Sequence, residues 1–320
     1  MFGIAVAVGF GVGFGVGPGA GIGQAHADGN DLVMSRLGTV QADNTIGNSQ
    51  DFRSLTSELG VVIAPRLLSP SDTLGFGGFQ FAADLGFTTI SNNKDFWRVR
   101  ESSGSPGGGG DHGGGVMPTL GVFVRKGIWL PLPSFEVGAG MVQLLDSNIL
   151  AAQAYAKFAL HEGYHDLPIP SLALRGAASR MMGTSQIDLT VASVDVSMSK
   201  AFGFLGSINF EPYLGGNLLF IVPRSKVVDP TPNIPDDINL NFVFRDQENI
   251  LRNRIFAGFK LQYYVFALLF EANIALKGSS VDNQPGDMDC NLVGAMRDDC
   301  DSTDEAGSQQ TYTIGIGLDF

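Results

Sequence analysis

Five consecutive residues, His161-Glu162-Gly163-Tyr164-His165, spell H-E-x-x-H. On a helix that spacing stacks two imidazoles on one face as zinc ligands and leaves the glutamate as general base. Whether the chemistry exists depends on the backbone that carries them. Just ahead, Leu150, Ala152, Ala154, Ala156, Phe158 and Leu160 hold even positions, while Gln153, Tyr155 and Lys157 hold odd ones. A period of two belongs to a strand. Alanine content alone would favour a helix, so the neighbouring segments must decide. Beyond the motif, Pro168 and Pro170 forbid a continuing helix, and no third ligand follows at metzincin spacing. We read a polar turn at a strand end, with no metal site, no catalytic residue and no enzyme.

The same alternation recurs along the chain. Ile208, Phe210, Leu214, Leu218 and Phe220 alternate with Ser207, Asn209, Glu211, Tyr213 and Asn217. Leu251, Ile255, Ala257, Phe259 and Leu261 alternate with Arg252, Arg254, Lys260 and Gln262. Phe266, Leu268, Phe270, Ala272, Ile274 and Leu276 are set against Glu271, Asn273 and Lys277. Two runs slip phase once, at Gly77-Gly78 and at Ala192-Ser193, as a β-bulge would produce. Runs of about ten residues suit tilted strands that cross a bilayer.

Composition agrees. Of 320 residues, 44% are hydrophobic and only 16% charged, with 43 glycines and 23 phenylalanines. That charge is low for a soluble domain, and no core run reaches the length of a spanning helix. The polar face is rich in Gly, Ser, Thr and Asn, unlike the charged exterior of a β-sandwich. Closing the sheet satisfies every backbone group in lipid. A net charge of −12 argues against nucleic acid. The first 27 residues are uncharged and end Ala25-His26-Ala27, a secretory cleavage pattern that lacks its positive n-region. Cys290 and Cys300, the only cysteines, lie together in an acidic segment and read as one local disulfide in an oxidising compartment.

The C-terminal stretch "TYTIGIGLDF" ends in Phe320, with apolar or aromatic residues at every second position back to Tyr312. It resembles the terminal strand of Gram-negative outer-membrane β-barrel proteins, and no specific subfamily is indicated. The resemblance implies an outer-membrane location, contact with outer-membrane lipid and lipopolysaccharide, and recognition of the last strand by the barrel-assembly machinery. It implies no activity.

The expected architecture is all-β: a transmembrane antiparallel up-and-down barrel of about 10–12 strands. Residues 1–27 read as signal peptide, 28–73 as an N-terminal plug, periplasmic segment or first strands, and 74–320 as barrel. Ten strands are counted at 74–90, 116–130, 134–146, 150–162, 170–182, 186–200, 206–221, 250–262, 265–277 and 310–320. The long loops 91–115, 222–249 and 278–308 then fall on the extracellular side. The stretch 52–68 fits either a helix or an added pair of strands.

Lumen-lining candidates are Glu136, Lys157, Arg175, Glu211, Arg252, Arg254, Lys260 and Glu271. If Tyr263-Tyr264 is a two-residue turn, Arg254 lies diagonal to Glu271 as a lumen pair. The favoured function is a passive channel for small polar solutes, with no cofactor. The alternative is a surface scaffold or binding protein using its long loops, and a barrel hydrolase ranks a distant third. "DDCDSTDE" at 298–305 reads as solvated acid rather than a Ca²⁺ loop, since its spacing matches no EF-hand.

Overall fold

The computed structural model describes residues 29–41, 44–103, 114–129, 134–162, 169–204, 207–231, 234, 240–283 and 301–320. The proposed leader and both cysteines lie outside them. A small hairpin, β1 (Gly38–Gln41) and β2 (Asn44–Gly47), precedes one α-helix, α1 (Ser49–Val62). The wall strands follow: β3 (Phe79–Thr89), β4 (Val116–Ile128), β5 (Phe135–Leu144), β6 (Leu150–His161), β7 (Ser171–Met182) and β8 (Ile187–Ser199). After a short β9 (Phe202–Phe204) come β10 (Ile208–Ser225), β11 (Ile250–Tyr263) and β12 (Phe266–Ala275). A second hairpin, β13 (Val281–Asn283) and β14 (Asp301–Thr303), precedes the last wall strand, β15 (Gln309–Asp319).

Each wall strand pairs antiparallel with its neighbours in sequence order, and β15 pairs with β3. The sheet closes, so all ten strands have two partners and no backbone edge faces lipid. The wall has ten strands rather than twelve. The stretch 52–68 adds none, because it lies within the lumen as α1 and an extended strap.

Alternation sorts the side chains by face. On β3, Gln80, Asp84 and Thr88 point inward and are buried, while Phe81, Leu85 and Phe87 are exposed on the outer surface. Leu120, Val122 and Val124 on β4, Val194 and Val196 on β8, and Ile314 and Ile316 on β15 continue this outer belt. Water would not tolerate so continuous an apolar surface. Exposed Phe76, Trp129, Phe202, Phe204, Tyr263, Tyr264, Phe266 and Phe320 ring one end as an aromatic girdle, the mark of a membrane interface.

The two ends differ. At the aromatic end the connections are 129–134, 162–170, 200–207 and 264–265; at the other they are 90–115, 145–149, 183–186, 226–249 and 276–308. Short turns face the periplasm and long loops the exterior in such barrels. The start of β3 and the end of β15 are therefore periplasmic.

Two readings of register need correction. No bulge interrupts β8 at Ala192-Ser193, because its pairing with β7 and β10 is continuous there. The apolar residues change face for another reason. Ile187, Leu189 and Val191 point inward at the extracellular end, where α1 fills the lumen, while Val194, Val196 and Met198 point outward to lipid. Likewise Gly77, at φ 84°, belongs to the turn before β3 rather than to a bulge within it. The register shift that does occur falls in β6, between Ala159 and His161.

Lipid contact predicts a clear outcome. Ile314→Arg, on the outer wall, should destabilise the barrel by about 2–4 kcal/mol, the cost of a cation near the bilayer midplane. Denaturant titration of folding into vesicles would measure it; an unchanged midpoint would contradict a lipid-facing wall.

Candidate functional site: the plugged lumen and its outer cap

The lumen is occupied by the chain's own N-terminal segment. Asn48 caps α1: its Oδ1 accepts from the Asp51 backbone N–H at 3.0 Å, and its Nδ2 donates to Asp51 Oδ2 at 2.9 Å. Phe52, Leu55, Leu59 and Val62 pack with Leu144, Ile187, Leu189, Val191, Leu219, Ile221 and Ile250 into one apolar core. Gly60 permits the close approach, since a Cβ there would sit 2.6 Å from Ile221 Cδ1. The polar face of α1 is satisfied as well. Glu58 accepts from Trp97 Nε1 at 2.7 Å and from the Ser91 and Gly307 N–H groups at 2.9 Å each. Arg53 donates to Ser280 Oγ at 3.0 Å and to the Glu248 carbonyl at 3.0 Å.

After α1, residues 63–74 run down the lumen as a strap, and the wall supplies partners to its backbone. Ser179 Oγ donates to the Ile63 carbonyl at 2.7 Å, and Gln153 Nε2 donates to those of Ile63 and Ala64 at 3.1 Å each. Gln153 Oε1 accepts from the Arg66 N–H at 3.0 Å. The Arg66 side chain faces Asp84 at 3.4 Å and donates to Thr119. Nearer the periplasm, the Ser71 N–H donates to Ser199 Oγ at 3.1 Å, and the Thr73 N–H to Glu162 Oε1 at 2.9 Å.

The eight lumen candidates all point inward and are buried. Lys157 Nζ donates to Ser69 Oγ at 2.9 Å and to the Pro70 and Asp72 carbonyls at 3.0 and 2.8 Å, beside Glu136 at 3.3 Å. Glu136 also accepts from Tyr155 at 2.6 Å and from the Leu74 N–H at 3.0 Å. Arg175 pairs with Asp195 at 3.0 Å and donates to the Leu67 carbonyl at 2.7 Å. Arg254 reaches Asn217 at 2.9 Å and the Pro65 carbonyl at 3.3 Å. Arg252 holds Ser57 Oγ of α1 at 2.8 Å and the Gly307 carbonyl at 2.9 Å. Glu211 accepts from Ser199 at 2.8 Å, Glu271 from Tyr213 at 3.0 Å, and Lys260 pairs with Asp319 at 2.6 Å.

The diagonal Arg254–Glu271 pair does not form. The hairpin turn is Tyr264-Val265, which sets Tyr263 opposite Phe266 and Glu271 opposite Gly258, with Arg254 opposite Ala275. That is a two-residue slip from the expected register.

A polar cavity of about 40 Å³ lies at the periplasmic end, lined by Asp72, Gln80, Arg125, Glu136, Glu211 and Lys260 among others. Its size and polar lining suit bound water.

The opening motif also finds its place. His161 ends a strand, and Glu162 is buried, accepting from Ser134 Oγ at 2.6 Å and from Thr73. Its carboxylate joins the strap to the β4–β5 turn. His165 lies outside the described residues.

Residues 29–50, the segment before α1 and its first turn, touch all five outer connections. The Asn30 N–H donates to the Asp146 carbonyl at 2.8 Å, and Asp31 accepts from Ser147 Oγ and the Asn148 N–H at 2.9 and 2.8 Å. The Val33 N–H donates to the Val99 carbonyl at 2.7 Å, and the Met34 N–H to Gln186 at 3.2 Å. The β1–β2 hairpin packs its glycines against Phe242 and Phe244, and Phe244 stacks on Phe52 at 4.5 Å. Gln50 then exchanges two 2.7 Å hydrogen bonds with Thr303. Within the acidic loop, Asp304 accepts from Ser57 Oγ at 2.6 Å, and burial raises its carboxyl above the usual range. That carboxylate holds the helix.

Sequence reasoning found the wall charges and missed what they hold. Arg53, Glu58 and Arg66 carried no pattern of their own, since a helix and a strap inside a lumen follow neither wall period.

A closed ten-strand wall with a lipid-facing belt, an aromatic girdle and asymmetric ends defines an integral outer-membrane β-barrel protein. No family model matches the chain, and no curated protein matches it. Among solved structures, Neisserial surface protein A aligns at 11% identity and TM-score 0.27, over 76% of this chain and 99% of that one. Ail, the attachment invasion locus protein of Yersinia pestis, aligns at 9% identity and TM-score 0.27, over 77% and 99%. The outer membrane protease OmpT of Escherichia coli aligns at 9% identity and TM-score 0.32, over 81% and 100%. These superpositions are loose, and the barrel's own geometry defines its class.

Two outcomes follow from these contacts. Lys157→Met strands Glu136 and two strap carbonyls, so it should cost about 3–5 kcal/mol, as breaking a buried pair does. Adding Glu136→Gln should recover part of the loss, read by thermal unfolding; full additivity would show that the pair is not coupled.

The second concerns pH. Burial, with repulsion from Asp95 and Glu305, pushes Asp51 up to about 6 against a weaker pull from Arg98. A carboxyl raised on docking binds more protons folded than unfolded, so stability rises as pH falls from about 6 towards 4. Protection factors of the α1 amides, with the intrinsic exchange rate at each pH divided out, should rise over that window in the wild type and lose this dependence in Asp51→Asn.

Proposed function

We propose that the protein is a sealed outer-membrane anchor that presents a braced extracellular cap as a binding or scaffolding surface, without catalysis. The single observation that carries this reading is the strap. An extended segment fills the lower lumen with its carbonyls bonded to wall cations and amides, and a helix fills the upper lumen in an apolar core. Solute passage would have to remove both. The function that the sequence favours, a passive channel for a small polar solute, is less well supported for that reason.

The cap supports the same reading. Residues 29–48 bridge connections that would otherwise move independently, and a braced surface loses less entropy on binding than free loops do. Val227 and Val243, on either side of the Val228–Phe242 bridge, expose aliphatic side chains beyond the bilayer, where lipid does not explain them. Phe320, directly after β15, is exposed at the periplasmic rim, accessible to the assembly machinery that the C-terminal pattern implies.

Purified protein in planar bilayers should show no conductance steps, whereas a chain lacking residues 29–73 should conduct. Steps from the intact protein would reject the sealed-anchor reading.

A further inference from the structure

The two ends of the described chain lie on opposite sides of the membrane. Phe320 hydrogen-bonds with Phe79 at the periplasmic rim, through both N–H···O pairs at 2.8 and 2.9 Å. Gly29 sits at the other end, where its carbonyl accepts from the Ser102 N–H at 3.1 Å, beside Asn30 and its bond to Asp146. Between them the strap spans the lumen, from Ile63 under the helix to Leu74, whose N–H reaches Glu136 beside the β4–β5 turn. The wall strands begin and end on the periplasmic side, yet residues 29–62 stand outside or in the outer mouth.

We propose that this barrel carries its own N-terminal segment to the cell surface: the polypeptide ahead of β3 crosses the outer membrane through the lumen of the barrel it belongs to, and sequence joined ahead of Gly29 is displayed outside. This deepens the anchor reading, since it names what the anchor presents.

The crossing must take place during assembly. A helix with its side chains is about 10–12 Å across, and the wall closes on α1 and on the strap with direct contacts along their length. A folded α1 with its cap has no room to pass a finished wall. Two routes remain: the segment lies between the strands before β15 pairs with β3, or it passes extended and α1 forms at the outer mouth. The sequence suits the second route. The strap residues Pro65, Pro70 and Ser69 disfavour helix. The apolar core that stabilises α1 exists only once it is seated, and a helix of 14 residues is marginal on its own.

The test uses the full chain in cells with an intact outer membrane. One variant carries a short epitope inserted directly before Gly29. A second is Ile46→Cys, in the exposed part of β2, probed with a membrane-impermeant maleimide over the wild-type background. Tyr264→Cys, in the β11–β12 turn, is the periplasmic control. The epitope and Ile46→Cys should react to the same extent before and after the membrane is permeabilised, while Tyr264→Cys should react only afterwards. The proposal is overturned if folded protein, identified by its heat-modifiable migration, shows the epitope or Ile46→Cys only after permeabilisation. If the insertion prevents folding, the cysteine pair alone decides. Conductance by the intact protein would sink the sealed-anchor reading and leave this labelling pattern untouched, so the two failures are distinguishable.

Discussion

The structure depends on one reciprocal constraint. A narrow closed wall places carboxylates, guanidiniums and amines where bulk water does not reach, and burying a charge without a partner costs several kcal/mol. An extended chain in the same space carries backbone carbonyls and N–H groups with no ladder of their own. Each needs what the other has. Lys157, Arg175 and Arg254 therefore donate to the carbonyls of residues 65, 67, 70 and 72, and the carboxylates of Glu136 and Glu162 accept N–H groups of residues 74 and 73. Neither the wall nor the strap would be well satisfied alone.

The same logic explains why the plug changes form halfway down. A helix closes its own hydrogen bonds, so it can be surrounded by Leu189, Val191, Leu219 and Ile221 without orphaned groups. Once α1 ends at Val62 the backbone opens, and the wall beside it turns polar within one or two residues of each strand: Val191 gives way to Ser193 and Asp195, and Leu219 to Asn217. The lumen is divided into an oily upper half and an ionic lower half, matched to a helix and a strap.

That division marks the limit of what was legible in the sequence. The ten strands were visible because one face meets lipid along the whole wall, and lipid imposes a period that depends on no other part of the chain. The inner face has no such uniform solvent. In β8 the inward positions are apolar from Ile187 to Val191 and polar from Ser193 to Ser199, while the outward positions become apolar only from Ala192 onward. Read alone, this resembles a phase slip and suggests a bulge. It records a change of contents. The Arg254–Glu271 pairing failed on a different point: register in a two-residue hairpin depends on which residues take the turn, and Tyr264 does so at φ 51°, unusual for a tyrosine. The eight wall charges were found by type and spacing. Their partners in residues 63–74 were not, because contacts across a lumen follow no sequence periodicity.

The bonding also bears on whether the plug is a gate. A gate must leave its seat at modest cost, and hydrogen bonds to charged groups contribute about 1.5–3 kcal/mol each. Lys157 alone makes three to the strap, and Arg175 and Arg254 add more, with the buried side chains of Phe52, Leu55 and Leu59 above them. Withdrawing the segment would forfeit a sum comparable to the whole stability of an ordinary domain, about 5–15 kcal/mol. It would also expose the inner wall's charges without partners and its apolar upper half to water. This cost is what the sealed-anchor proposal rests on: on that reading the lumen belongs to the folded core, and the cap is the surface left to interact with other molecules.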